Sequence, residues 1–281
     1  MLVSFSMILK KIWKGGDMKR SQRRAGRIYS NCLVACIMLL FISPSAFSQG
    51  DLNLPPLLSP EEYGDVAIDR TSTAKNVVPV IFSHWVHRTK FTCRVCHGEL
   101  EFSMKTNETA ILCRNGQTDG KYCTVCHNGR ISFAPKDEKG ENCKLCHNAN
   151  TGPNRDKFFT LQQKLPRSKW GNEIDWTKAL NAGLIKPKES LTENFQSLRL
   201  DRTLTLRAEM SGIPPAVFPH KEHVKWLDCS NCHPDIFNIK KKTTKHFSMS
   251  RILNNEFCGV CHLRIAFPQN DCKRCHPGIR H

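Results

Sequence analysis

Six copies of Cys-x-x-Cys-His run through this chain, with cysteines at Cys93/Cys96, Cys123/Cys126, Cys143/Cys146, Cys229/Cys232, Cys258/Cys261 and Cys272/Cys275. Two thiols three positions apart can add to the two vinyl groups of one porphyrin. The next residue, His97, His127, His147, His233, His262 or His276, then lies under the iron as its proximal ligand. Each motif therefore predicts one covalently bound haem c, six in all. Of 15 cysteines the motifs use twelve; Cys32 and Cys36 lie near the N-terminus, and Cys113 stands alone. A zinc reading would assemble pairs of Cys-x-x-Cys into four-ligand sites and would not need a histidine after every pair. A thioredoxin-like redox pair is expected once, in a βαβ context.

The elements around the motifs repeat. Phe82-Ser83-His84-x-x-His87 returns as Phe218-Pro219-His220-x-x-His223, and Cys93 returns as Cys229, at a constant offset of 136. The second motif returns at offset 135 and the third at 129. Duplication of this kind marks structural units: residues 80–150 and 216–281 each form a three-haem unit. At about 70 residues, such a unit would be marginal on polypeptide packing alone. The haems are expected to be the core, wrapped by short attachment helices, loops, and a small hairpin near 78–83. The fold class is thus mostly irregular and α, haem-cored, with minimal strand.

Between the units, residues 151–215 form a linker. There Trp176, Ala179, Leu180 and Leu184 fall at helical spacing, with Asn172 and Asp175 as cap candidates and Gly183 and Pro187 as terminators. This short amphipathic helix either packs on one unit or docks a partner, including a larger membrane complex. Residues 49–79, rich in Pro, Ser and Asp, read as a loosely attached arm.

The first 48 residues read as an export signal. Eight Lys/Arg precede a short apolar run, Cys32 to Ile42, and Ala46-Phe47-Ser48 has the form of a cleavage site. Initiation at Met18 would leave that signal intact. Leu33-Val34-Ala35-Cys36 imitates a lipoprotein box, but its apolar run follows the cysteine rather than preceding it. The run is also short for a span of about 20 residues. The expected location is the periplasm, with extracellular or membrane-associated placement as the variants. The full chain carries +17, and from residue 49 onward 34 basic face 24 acidic side chains, a net +10. Twelve ionised propionates on six haems would cancel about that much. A nucleic-acid partner loses its support, and no recognition motif restores it. Lys240-Lys241-Lys242 with Lys245 reads as a solvated face, or else as a dock for an acidic redox protein or a partner for haem propionates.

Beyond the proximal ligands stand His84, His87, His220, His223, His246 and His281. Histidines at i and i+3 project from one helical turn in related directions, so one turn can serve two neighbouring irons. On Phe-x-His-x-x-His followed by three attachment motifs, the sequence resembles the triheme cytochrome c7 family of the cytochrome c3 superfamily, particularly its tandem members. The resemblance implies that His84 serves the haem of His97, His87 that of His127, His220 that of His233 and His223 that of His262. For the third haem of each unit it implies a His or Met shortly before the second motif. The second unit offers both in His246-Phe247-Ser248-Met249, where Phe-Ser-Met matches the tandem pattern and favours Met249 over His246 for the haem of His276. In the first unit Cys113 aligns within one residue of Met249. A Cys113 thiolate, Met104 (which aligns better with Ile239) and an open iron compete there. His281 is expected to be a mobile terminus, with a link to a neighbouring chain or unit as the alternative.

The expectation that follows is an electron carrier between an inner-membrane or periplasmic donor and a terminal reductase or outer-membrane conduit. The rivals are a multihaem reductase acting at an open third haem, and a haem subunit of a larger membrane oxidoreductase or conductive assembly.

Overall fold

The computed structural model describes residues 54, 56–113, 120–137, 140–149, 155–240 and 244–280. The export signal, Lys241, Lys242 and His281 lie outside them. The described chain is built from short helices and two-stranded ribbons, and most of the remainder is turn and loop. Among the described residues no helix is long and apolar enough to cross a membrane.

Each repeat opens with an antiparallel ribbon. In the first, β1 (Asp65–Ile68) pairs with β2 (Val80–Ser83) in the register Asp65 to Ser83, and α1 (Arg70–Ala74) fills the connection. In the second, β5 (Thr203–Leu206) pairs with β6 (Ala216–Pro219), Thr203 to Pro219; the short ribbon β3 (Lys136–Asp137) and β4 (Gly140–Glu141) lies between them in sequence. The strand at 80–83 therefore exists, but its partner lies back at 65–68 and not in a local hairpin. The repeated arrangement reaches into both segments read as connectors. The arm, over its described part, is not loose. Tyr63 is 2% exposed; its hydroxyl donates to the Ala266 carbonyl at 2.7 Å and its own carbonyl accepts from Asn172 Nδ2 at 2.5 Å. One aromatic anchor with both ends bonded converts a polar stretch into fixed structure.

The strand of each ribbon runs directly into a one-turn helix that carries the paired histidines, α2 (His84–Arg88) and α6 (His220–His223). Extended backbone at Ser83 and Pro219 makes the turn abrupt. The attachment motifs sit on short helical turns: Val95–Glu99, Tyr122–Val125, α3 (Cys143–Cys146), Cys229–Asn231, α8 (Gly259–His262) and α9 (Cys272–Cys275).

The apolar side-chain core lies where the sequence suggested only a linker. Phe158, on α4 (Arg155–Gln162), joins Leu165, Ile174, Ile185 and Ala179, the last on α5 (Trp176–Asn181). Trp85 of the first repeat completes the buried cluster, and Val86 and Trp226, from the first and second repeats, pack against it. Helix α5 is where the sequence placed it, and Asp175 caps it by accepting from the Lys178 amide at 3.0 Å. It packs against both repeats and not one. Asn181 meets Glu222 and Lys225 of the second repeat, while Arg88 of the first stacks 5.1 Å from the Trp176 ring. The same segment clamps the chain just before Cys93, through Thr92 to the Lys188 carbonyl and Lys188 to the Lys90 carbonyl.

The repeats also bond directly. Asn231 Nδ2 donates to the His97 carbonyl at 2.9 Å, and the Arg94 amide donates to the Trp226 carbonyl at 2.9 Å. The Arg94 guanidinium reaches Asp228 at 3.2 Å, Glu99 at 2.5 Å and the Glu189 carbonyl at 2.9 Å, with the Phe195 ring 3.8 Å away. The first attachment turn of each repeat thus backs onto its counterpart.

Candidate haem-binding sites

Three histidine pairs face one another at one spacing. The rings of His84 and His97 are 6.5 Å apart and parallel to within 3°. His87 and His127 are 6.3 Å apart, and His223 and His262 are 6.2 Å apart. Two metal–imidazole bonds of about 2 Å each, with half a ring's width at either end, require about 6 Å between centroids. The gap fits one iron between two imidazoles and is too wide for direct ring stacking.

The other ring nitrogen of almost every candidate ligand is tied to a backbone carbonyl. Nδ1 of His84 lies 2.7 Å from Gly64 O and that of His220 lies 3.2 Å from Arg202 O, the residues just before β1 and β5. His87 reaches Ser83 O at 3.1 Å and His223 reaches Pro219 O at 2.8 Å. Among the proximal histidines, His97 reaches Phe102 O at 2.9 Å, His233 Phe237 O at 2.6 Å and His262 Phe267 O at 2.9 Å. His147 reaches Val78 O at 2.6 Å and His276 reaches Pro214 O at 2.7 Å, again at equivalent places in the two repeats. A carbonyl can only accept, so each Nδ1 carries the proton and Nε2 presents its lone pair. His127 is the exception. Its buried Nδ1 completes no hydrogen bond, although the Phe133 backbone is close enough to raise its proton affinity against the effect of burial.

The phenylalanine that precedes each His pair positions both rings. Phe82 stands edge-on to His84 at 4.8 Å and stacks on His87 at 4.3 Å. Phe218 meets His220 at 4.8 Å and His223 at 4.3 Å. One aromatic side chain thus contacts both ligand rings of its repeat.

Burial keeps these imidazoles neutral. It pushes His84 down to about 3 and His262 down to about 4, and it lowers His87, His97, His127 and His223 as well. Neutral imidazole is the form that binds metal. Burial likewise raises the attachment thiols, with Cys96, Cys258 and Cys261 pushed up to about 12 and Cys123 and Cys275 to about 11. All thirteen described cysteines are free of disulfides, which leaves both sulfurs of each motif available for thioether bonds. A bare ion would need about four converging ligands. Among the described residues no three His, Cys, Asp or Glu side chains converge in that way. Two opposed imidazoles beside two thiols fit an iron whose other four positions are held by a porphyrin.

The third motif of each repeat has less around it. Cys113 is exposed, and it lies near Cys123 and Cys146, thiols of the second and third motifs. Met104 is half-buried, and its counterpart Ile239 is 81% exposed. The equivalence of these two positions is visible in a bond: Thr109 Oγ1 accepts from the Ser103 amide at 2.7 Å, and Thr244 Oγ1 accepts from the Asn238 amide at 3.1 Å. Met249 opens α7 (Met249–Leu253), which Ser248 caps, and is half-buried. His246 is exposed with φ 56°, and its ring has no hydrogen bond among the described residues.

Attachment turns with carbonyl-anchored imidazoles, set in short helices and two-stranded ribbons, define a multihaem c-type cytochrome. Residues 80–151 and 216–277 match the family described as cytochrome c7 and related cytochrome c. The chain belongs to that family, with its unit present twice. Among solved structures, a c7-type three-heme cytochrome domain is 31% identical over 29% of this chain and 98% of its own, with a TM-score of 0.25. The C-terminal hexaheme fragment of GSU1996 is 23% identical over 79% of this chain and 98% of its own, with a TM-score of 0.25. Dodecaheme cytochrome c GSU1996 is 24% identical over 77% of this chain and 75% of its own, with a TM-score of 0.27. No curated protein matches the chain.

Proposed function

We propose that the chain is a periplasmic carrier of electrons holding six haems, three in each repeat, exported by residues 1–48 and cleaved near Ser48. It takes electrons from an inner-membrane or periplasmic donor and delivers them to a terminal reductase or an outer-membrane conduit. The observation that carries this reading is the set of opposed, anchored imidazoles at one spacing. When bound, each haem supplies a one-electron ferric/ferrous couple.

The chain's own residues do the rest. Cys93 and Cys96, and their counterparts at each motif, would hold the porphyrin through two thioethers. His97, His127, His147, His233, His262 and His276, with His84, His87, His220 and His223 opposite, would supply imidazole nitrogen to the irons, which suits electron transfer and not substrate binding. Carbonyl bonds to Nδ1 fix the tautomer and rotation of all these imidazoles but that of His127, and Phe82 and Phe218 prevent the distal rings from tilting. Burial excludes water from the paired rings.

For the third haem of each repeat we assign Met249 to the iron of His276 and Cys113 to that of His147. Met249 lies at the start of a capped helix, whereas His246 is exposed and unanchored. Cys113 lies near the Cys146 thiol, and the position of Met104 corresponds to an exposed residue in the other repeat. A thioether at His276 raises that site's potential, while a thiolate at His147 lowers its own. The third haems of the two repeats would then differ in the sign of their shift, and an electron would favour the haem of His276 over that of His147.

Coulometric reduction of the exported protein tests the reading. It predicts six electrons per chain and an intact mass of the polypeptide from Gln49 plus six haems. Fewer electrons, or turnover of nitrite or a sulfur oxyanion at a cyanide-binding iron, would replace the carrier with a reductase.

A further inference from the structure

Arg88 follows the paired histidines of the first repeat and points into the second. Its Nη2 donates to the Ile265 carbonyl at 2.7 Å. Ile265 and Ala266 in turn donate to the Cys261 carbonyl at 3.0 and 2.9 Å, so Arg88 is bonded to the turn that closes the second attachment motif of the other repeat. The Trp176 ring covers its flat face. Gly64, whose carbonyl orients His84, lies against the same turn: a Cβ there would be 3.6 Å from His84 Cβ and 3.8 Å from the Arg264 carbonyl.

Among the described residues Arg88 has no carboxylate partner. The contrast is Arg274, which also faces this region and is neutralised by Asp175 at 2.9 Å and Asp271 at 3.0 Å. A half-buried guanidinium satisfied by one neutral carbonyl and one ring is an incompletely compensated charge. On one side of Arg88 lies the Cys261 and His262 turn, through the Ile265 carbonyl; on the other, His84 stands one helical turn before it, with Gly64 lying between His84 and the Arg264 carbonyl.

We infer that Arg88 is a fixed cation shared by the haem site of His84 and His97 and the haem site of His223 and His262, raising the electron affinity of both together. The inference rests on the ligand assignments proposed above. Because one charge acts on both sides, it lifts the two sites relative to the other four without adding to the difference between them.

The haem count and axial ligands of the unaltered protein come first, by mass and NMR, so that failure of the ligand reading shows itself separately. Haem-resolved NMR redox titration is then compared for the unaltered protein, Arg88→Gln and Arg88→Lys. Removal of one charge at such range should raise the oxidised-to-reduced ratio at fixed potential about tenfold at the two named haems, equivalent to about 59 mV. Arg88→Lys should keep most of the unaltered value. No shift, an equal shift at all haems, or the same shift in both variants would overturn the inference. A measurement without variants guards against misfolding. In the fully reduced, diamagnetic protein, nuclear Overhauser contacts should connect substituents of these two haems across the repeats; their absence would also overturn it.

Discussion

Phe158→Ala should loosen the first repeat's distal ligands although Phe158 belongs to neither repeat. Phe158 is fully buried, edge-on to Trp85 at 5.2 Å and to Phe159 at 5.4 Å. Truncating a buried Phe to Ala costs about 3–5 kcal/mol, of which each aromatic contact accounts for about 0.5–1.5 kcal/mol. A loss of about 4 kcal/mol is a large share of the roughly 5–15 kcal/mol that holds a domain folded. With a guanidinium m-value of about 4 kcal/mol/M, the midpoint should fall by about 1 M. The fall should not be uniform, because Trp85 sits between His84 and His87 on α2. The low-spin signals of the haems assigned to those two ligands should therefore be lost first, with the second repeat's signals following. The assay is equilibrium denaturation followed by haem-resolved NMR and by far-ultraviolet circular dichroism. A fall worth less than about 1 kcal/mol, or simultaneous loss in both repeats, would refute the claim that this segment is a polypeptide core supporting the first repeat's ligand helix.

Two other substitutions have opposite expected signs. Burial raises the Asp65 carboxyl from 3.8 to about 6, despite partial relief from Ser83, and neither oxygen completes a hydrogen bond. A pKa raised on folding favours the native state below the unfolded value and loses that advantage as pH climbs through about 6. Asp65→Asn should accordingly raise the melting temperature at pH 7–8, with the gain vanishing below about pH 4; a constant gain across that range would contradict the assignment. At Gly259 an added Cβ would stand 1.9 Å from the Ile252 carbonyl, so Gly259→Ala must push α7 off α8. The sulfur-ligated signal assigned to Met249 should weaken in this variant while the bis-imidazole signals persist. Unchanged sulfur ligation would argue against Met249.

Much of the site was legible in the chain because its chemistry is local. A thioether pair and its imidazole need five consecutive residues, and the His84/His87 pair needs four, so duplication made both conspicuous. What the sequence concealed depends on distant pairing. Strand β5 is four residues, Thr203–Leu206, in a segment lacking Cys and His; only its partner β6, and the equivalence of Gly64 with Arg202 as ring anchors, reveal its purpose. Tyr63 sits in a stretch whose Pro, Ser and Asp content suggested a loose arm, yet its contacts at Ala266 and Asn172 lie more than a hundred residues away. The core of the connecting segment has no periodic signature, because Phe158, Leu165, Ile174, Ala179 and Ile185 follow no single period. Helix α4 did leave a trace in Phe158, Leu161 and Gln162, one face at helical spacing. Tertiary pairing, and not local propensity, fixed these elements.

The central claim is that every iron carries two axial ligands from this chain. Low-temperature EPR with magnetic circular dichroism of the oxidised protein tests it most directly, together with Cys113→Ser. The account predicts six low-spin haems, four of them bis-imidazole, one with a thioether and one with a thiolate signal that disappears in the variant. A high-spin ferric centre in the unaltered protein that takes up cyanide or nitrite would contradict it.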